Sequence, residues 1–377
     1  MPISERLKDC YLQIRSGEIS GSVGNFGTIL PLFCAVSLTT GMPLSTMLLL
    51  CGVWYIITGI VYRIPIPVEP LKAVAAISIA DHLDPGVIAA SGIFIGLIFI
   101  ILGLSGGMEW LQRKVPESVI RGIQLGLGLL LIRSALFDLG LLDAGFFLIS
   151  VGIIVLFIIA KHRWNVPDHS ALIVLVFGGI ILIFAHGVPQ VTIPPVPVLV
   201  IPDLMQYVSA GLLLVLPQFP LTLGNAVLAT SLLACELYKR DIRPDRLSIT
   251  VGVMSLSTSF LGGFPMCHGA GGVAAHYRFG ARTGIAMGLG GIVLIALAAC
   301  VSDPGTLAAM PKGIFGALLL TVGIELILYG MKTRDQVTTG LMAIIALPFG
   351  MAVAFCAGLI MAFVVGVYRV RKEKSLP

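Results

Sequence analysis

Hydrophobic residues fill this 377-residue chain in long runs, and polar positions gather in short clusters between them. A helix needs ~20 residues to cross a bilayer. The runs divide into fourteen segments: 20–40, 44–62, 69–80, 86–108, 117–137, 144–160 and 170–186, then 204–233, 246–261, 269–276, 284–301, 313–330, 337–348 and 350–368. Segments 69–80 and 269–276 are too short to cross alone. Each follows a proline-containing stretch, Ile64-Pro65-Ile66-Pro67-Val68 and Gly262-Gly263-Phe264-Pro265-Met266. The pattern predicts an all-α polytopic membrane protein with two half-helices, each preceded by a short extended stretch. Residues 1–18 are charged and place Leu7, Cys10, Tyr11 and Ile14 at helical spacing, which predicts a cytoplasmic amphipathic helix on the membrane surface.

Composition narrows the function classes. Charged residues are 11% of the chain, less than half the ~25% of a soluble domain. The 44 glycines and 22 prolines fall largely inside apolar runs, where membrane helices tolerate them. The net charge of +5 sits in short clusters between spans, so it reads as a topology signal and not as a nucleic-acid surface. Cys10, Cys34, Cys51, Cys235, Cys267, Cys300 and Cys356 show no CxxC spacing and read as small buried residues. Cys267-His268 without further ligands is a weak metal signal. No nucleotide loop, metal-ligand set or nucleophile–base pair stands at useful spacing, so neither an enzyme nor a cofactor is expected.

Charge sets the orientation. With the N-terminus in the cytoplasm and fourteen crossings, all but three (Lys72, Arg133 and Lys312) of the 24 basic residues fall in cytoplasmic connections. Asp81, Asp84, Asp138, Asp143, Asp203 and Asp303 collect on the other side. Both termini are therefore expected inside.

The halves resemble each other. Gly24-Asn25-Phe26 lies 43 residues before Pro67, and Gly224-Asn225-Ala226 lies 41 before Pro265. A small-residue helix follows each proline. Seven spans per half is odd, so the halves run oppositely through the membrane, the inverted-repeat pattern of secondary transporters, whose interrupted segments mark the substrate site. Chance similarity between two Gly/Pro-rich stretches is the alternative.

A helix that starts at mid-membrane points free N–H groups into a cavity and carries about +0.5 charge there. Two facing starts, near 69–72 and 268–272, make an anion site. Lys72 adds a full charge, and an intramembrane charge is a functional candidate; it can also simply pair with Glu69 at i, i+3. Glu69 is either neutralised by Lys72 or protonated during transport, which makes it the candidate for proton coupling. Gln218, Thr222 and Asn225 form one polar stripe, and Ser22, Asn25 and Thr28 another. Such stripes line cavities or glue helices. His268, at the second start with Gly269, Ala270 and Gly271, is expected to donate a hydrogen bond to substrate. Glu325 is intramembrane without an assigned role. Arg278 and Arg282 are expected to anchor the cytoplasmic end of the second half-helix.

Three motifs carry a family resemblance: Pro65-Ile66-Pro67-Val68-Glu69-Pro70-Leu71-Lys72; Pro217-Gln218-Phe219-Pro220-Leu221-Thr222-Leu223-Gly224-Asn225-Ala226; and Met266-Cys267-His268-Gly269-Ala270-Gly271-Gly272, continuing through Tyr277-Arg278-Phe279-Gly280-Ala281-Arg282-Thr283-Gly284. The chain resembles the molybdate transporters, STAS-lacking relatives of the sulfate permeases, from about residue 20 to 330. That family usually has Gln where this chain has Glu69, and Met where it has Leu71. The resemblance implies the fold of uracil permease: a core of 19–110 and 203–301 moving against a gate of 111–202 and 302–369, with a cytoplasmic tail at 370–377. It also implies a homodimer in the inner or plasma membrane. With nine residues after the last span, no STAS domain is expected.

The leading function is secondary import of a tetrahedral oxyanion, molybdate first and sulfate second, with proton coupling open. A nucleobase or aromatic-carboxylate permease of the same fold, with Glu69 and His268 bonding a planar ring, is one alternative. An anion channel is another.

Overall fold

The computed structural model describes residues 16–108, 110, 116–164, 170–187, 192–194, 196–302 and 309–374. Most of the amphipathic segment expected at 1–18 lies outside them. The chain folds as α1 (Ser16–Ser22), α2 (Phe26–Thr40), α3 (Leu44–Tyr62), β1 (Glu69–Pro70), α4 (Lys72–Asp81), α5 (Pro85–Ser105), α6 (Glu117–Ser134), α7 (Ala144–Trp164) and α8 (Ser170–His186). There follow α9 (Leu204–Tyr238), α10 (Pro244–Phe260), β2 (Met266–Cys267), α11 (Ala270–Arg278), α12 (Gly284–Cys300), α13 (Lys312–Gly330) and α14 (Gln336–Lys374).

Among the described residues, seven helices are long and apolar enough to cross a membrane, and three apolar helices are shorter. Their outer faces carry exposed Ile60, Ile101, Leu156 and Phe363, a surface suited to lipid and not to water. The chain is a multi-pass membrane protein. Gly350, at φ 81° and ψ 165°, breaks α14 two residues after Pro348, close to the boundary expected between 348 and 350.

Both short segments are half-helices. Extended backbone precedes each, and the two stretches meet as a two-residue antiparallel ladder with Glu69 opposite Cys267 and Pro70 opposite Met266. Leu71 N–H donates to Pro265 O at 3.0 Å beyond the ladder. These bonds satisfy backbone groups that lipid could not. α4 and α11 leave the ladder from opposite ends.

Glycines bring the helices around this crossing together. A Cβ on Gly52 of α3 would lie 2.6 Å from Gly291 O of α12, and one on Gly291 would lie 2.5 Å from Gly52 O. Gly96 of α5 and Gly252 of α10 oppose each other in the same way (2.9 and 2.7 Å), as do Gly128 of α6 and Gly323 of α13 (2.7 and 3.0 Å). Small residues at such contacts let backbones approach, the main packing device between membrane helices.

The helix α9 is not regular throughout. It widens into π turns at Gly211–Val215 and Thr222–Ala229. Pro217 and Pro220 lie between them, and a proline removes a backbone donor from the helical ladder. π turns concentrate at functional sites, and this one carries Thr222 and Asn225.

Candidate functional site

A cavity of about 320 Å³ opens where the half-helices start. Glu69, Lys72, Gln218, Asn225, Cys267, Ala270 and Gly271 form one wall. Arg121 and Gln124 of α6, Glu325 and Tyr329 of α13, and the following Lys332 form the other. Six expected site residues therefore meet here: Glu69, Lys72, Gln218, Asn225, Ala270 and Gly271.

The two helix starts are not equivalent. Gln218 Oε1 accepts from Ala73 N–H at 2.8 Å and Val74 N–H at 3.2 Å, so a side chain from α9 caps α4. Gln218 Nε2 donates to Thr222 Oγ1 at 2.8 Å, which fixes the amide. Thr222 thus stands behind the wall and orients Gln218. The start of α11 has no side-chain cap: its N-cap is Gly269, and Ala270 and Gly271 face the cavity.

Glu69 is 1% exposed, and Lys72 Nζ lies 3.0 Å from its Oε2. Apart from that ion pair, neither carboxylate oxygen has a hydrogen-bond donor among the described residues. The carboxylate packs on the first turn of α11: a Cβ on Gly272 would lie 2.5 Å from Glu69 Oε1, and one on Gly269 would overlap the carboxylate. Glycine at 269 and 272 is what allows a negative group to sit at this helix start, where the dipole favours it. The i, i+3 spacing thus brings Glu69 and Lys72 together as an ion pair.

Three expected contacts lie elsewhere. His268 turns away from the cavity. Its Nδ1 lies 2.9 Å from Pro67 O, which can only accept, so Nδ1–H donates there. Nε2 then accepts from Thr250 Oγ1 at 2.7 Å, and Thr250 accepts in turn from the Tyr62 hydroxyl at 2.6 Å. The ring ties both extended stretches to α3 and α10 and leaves no N–H for substrate. Asn25, at the break between α1 and α2, is buried outside the cavity wall. Thr28, half-buried on α2, is also outside it. Gly269 serves through its missing side chain, next to Glu69.

The sequence reading missed the second wall. Arg121 pairs with Glu117 at 3.1 Å and donates to Gln124 Oε1 and to Tyr329 O, bridging α6 and α13. A signal existed: Glu117, Arg121 and Gln124 fall on one face of α6. At the cytoplasmic end expected for α11, the Arg282 guanidinium stacks 3.8 Å above the Tyr277 ring and donates to Tyr277 O. Glu18 of α1 accepts N–H bonds from Arg282 and Thr283, strapping α1 to the α11–α12 turn.

The family profile described as "Molybdate transporter of MFS superfamily" matches residues 17–131 and 210–326. "Molybdate transporter 1" of Arabidopsis thaliana is 32% identical, the alignment covering 96% of this chain and 91% of that protein. "Molybdate transporter 2" of the same plant is 30% identical over 85% of this chain and 79% of its own. Among solved structures, the transmembrane domain of a cyanobacterial bicarbonate transporter, BicA, superposes with TM-score 0.67 at 17% identity, covering 92% of this chain and 98% of that one. The murine Slc26a9 anion transporter, in its inward-facing state, gives 0.70 at 15% identity over 98% and 71%. At those identities the likeness shows the fold, here shared with anion transporters of the uracil-permease-like type. The profile match and the plant relatives go further: this chain belongs to the molybdate transporter family.

Proposed function

We propose that this protein is a secondary transporter that imports a tetrahedral oxyanion, molybdate first and sulfate second, by moving a core against a gate. The observation that carries the reading is the start of α11, which has no side-chain cap and opens into a cavity at the Glu69–Lys72 ion pair, Lys72 balancing the carboxylate that packs on its first turn. A helix start offers partial positive charge and free N–H groups. Asn225 adds a polar side chain on the same wall. The core comprises 19–110 and 203–301 and the gate 111–202 and 302–369, so the cavity lies on the boundary where relative motion opens and closes it.

An inverted repeat of seven spans per half explains the reciprocal packing. Glu69 and Cys267 stand two residues after Pro67 and Pro265, and they pair with each other, as a two-fold axis through the ladder requires. The same axis exchanges the α3–α12 pair with the α10–α5 pair and maps α6–α13 onto itself, in line with the glycine contacts. The two profile matches begin near equivalent points of the halves. In this frame both termini are cytoplasmic, and Arg121, Tyr329 and Lys332 mark a cytoplasmic mouth. The protein works as a homodimer in the inner or plasma membrane.

Recognition of a planar nucleobase needs hydrogen-bonding groups that His268 does not present, which weighs against that alternative. Calorimetric titration of the purified protein with molybdate, sulfate and uracil tests the reading. Saturable molybdate binding that is lost in Lys72→Ala is expected; uracil binding without oxyanion binding overturns it. Unsaturable anion currents in planar bilayers would instead identify a channel.

A further inference from the structure

We infer that Glu325 of the gate, and not Glu69 of the core, is the carboxyl that takes up a proton with each oxyanion; the inference rests on the oxyanion reading above. Glu325 is half-buried on α13 and lines the cavity. A Cβ on Gly271, in the uncapped first turn of α11, would stand 3.9 Å from its Oε1. The gate thus holds a carboxylate over the place where the core offers its anion site.

The charged and titratable groups around Glu325 decide its role. From the core it faces Lys72, Glu69 and Cys267; from α6, Arg121; on its own helix, Tyr329; and beyond that helix, Lys332. Lys72 is paired with Glu69, and Arg121 with Glu117. Lys332 Nζ lies 5.0 Å from the Tyr329 ring centroid. The helix α2, which also packs on α13, carries no charged residue, and α7 and α8 meet α13 through apolar side chains such as Phe147 and Val174. Asp138 and Asp143 belong to the turns near Gly313 and Gly316, at the other end of α13. Among the described residues, Glu325 makes no ion pair and no hydrogen bond.

Glu325 is therefore the carboxylate of the cavity that no cation contacts, among the described residues. A dianion at the α11 start meets it at close range, and neighbouring like charges favour the uncharged form of the one that can take a proton. The proton comes from the acid form of the buffer in the surrounding solution, whose conjugate base stays there, and forms an O–H bond on a Glu325 oxygen; the dianion keeps its charge. Glu69 has no such need, because its cation is already in contact. A further consequence follows for transport. The carboxyl that binds the proton belongs to the gate while the helix start belongs to the core, so the protonation of Glu325 reports which way the core has moved.

The experiment measures proton uptake directly. Purified full-length protein in weak buffer near neutral pH receives molybdate, and a pH indicator counts protons per anion bound. The wild type is expected to take up one proton per anion, and its affinity to fall about tenfold per pH unit on the alkaline side. Glu325→Gln is expected to bind molybdate without proton uptake and with a flat pH profile. Glu325→Asp, which keeps a titratable group, retains the uptake, and Glu69→Gln retains it at whatever affinity remains. Proton uptake by Glu325→Gln equal to the wild type overturns the inference, as does loss of its molybdate binding, since a neutral amide mimics the protonated carboxyl. Wild-type binding without proton uptake overturns this inference alone. Absence of any oxyanion binding by the wild type overturns the transport reading beneath it.

Discussion

Replacing Lys72 by methionine keeps the length of the side chain and removes its charge. In the wild type, Nζ sits 3.0 Å from Glu69 Oε2, and Glu69 is 1% exposed. At the effective dielectric of ~20 that suits protein sites, that separation corresponds to about 5 kcal/mol of attraction. Much of it offsets the desolvation of the two groups, so the pair itself adds little net stability. Orphaning one partner is different, because the remaining buried charge has nothing to balance it, at a cost of ~3–5 kcal/mol. Lys72→Met should therefore lower the unfolding midpoint in detergent by on the order of 10 °C, taking ~2–4 °C per kcal/mol. Glu69→Gln should cost less, since Lys72 is 17% exposed and reaches the cavity. The double variant leaves no charge behind and should recover to within ~1–2 kcal/mol of the wild type. Tryptophan fluorescence through a thermal ramp, on all four proteins, reads the cycle. Anion binding should not recover in the double variant, because Lys72 also faces the cavity. If Lys72→Met is no less stable than the double variant, the ion pair is not what holds Glu69 in place, and the neutral-pair argument fails.

Three further substitutions separate capping from packing. Gln218→Glu puts a carboxylate where an amide oxygen now caps α4; the cap should hold or strengthen, while oxyanion affinity falls at least ~10-fold, since a charge ~8 Å away adds about 2 kcal/mol of repulsion. Unchanged affinity by calorimetry would place the anion far from Gln218. Gly272→Ala forces a Cβ to 2.5 Å from Glu69 Oε1 and 2.7 Å from Pro67 Cβ, and should cost ~1–3 kcal/mol. Gly288→Ala, with nothing within 4 Å, should be neutral or stabilising by up to ~1 kcal/mol; equal midpoints for the two would remove the packing argument.

What the sequence discloses here follows from the range over which its signals act. The half-helices are legible because Pro65, Pro67 and Pro265 interrupt apolar runs that are then too short to cross. The Glu69–Lys72 pair is legible as an i, i+3 spacing. The partner of the α4 start is not, because Gln218 is 145 residues away in sequence and its amide looks like any polar group on an apolar helix. Nor does hydropathy report helical pitch, so the π turn that carries Thr222 and Asn225 shows only as Pro217 and Pro220. His268 stands beside the second start in sequence, yet its ring goes to Pro67 O and Thr250. Adjacency along an extended stretch does not fix the side on which a ring lies. Arg121 and Lys332 were absorbed by the topology rule, which counts charges near helix ends and is silent about what those charges face.

The packing also constrains which part can move. Where Gly52 meets Gly291 and Gly96 meets Gly252, a single methyl group would collide with the opposing backbone. Such contacts resist sliding, so in the core-against-gate movement proposed above α3 with α12 and α5 with α10 would travel as one body around the ladder. On that proposal Glu69, Lys72 and Gln218 would travel with them, and their mutual bonds need not break. The groups that change neighbours are those that face them from α6 and α13: Arg121, Gln124, Glu325 and Tyr329. Arg121 is held within its own half of the cavity by Glu117 and Tyr329 O and Lys332 lies by the Tyr329 ring, so on the proposed movement Glu325 is the carboxylate of that wall whose electrostatic surroundings would change as the core passes it.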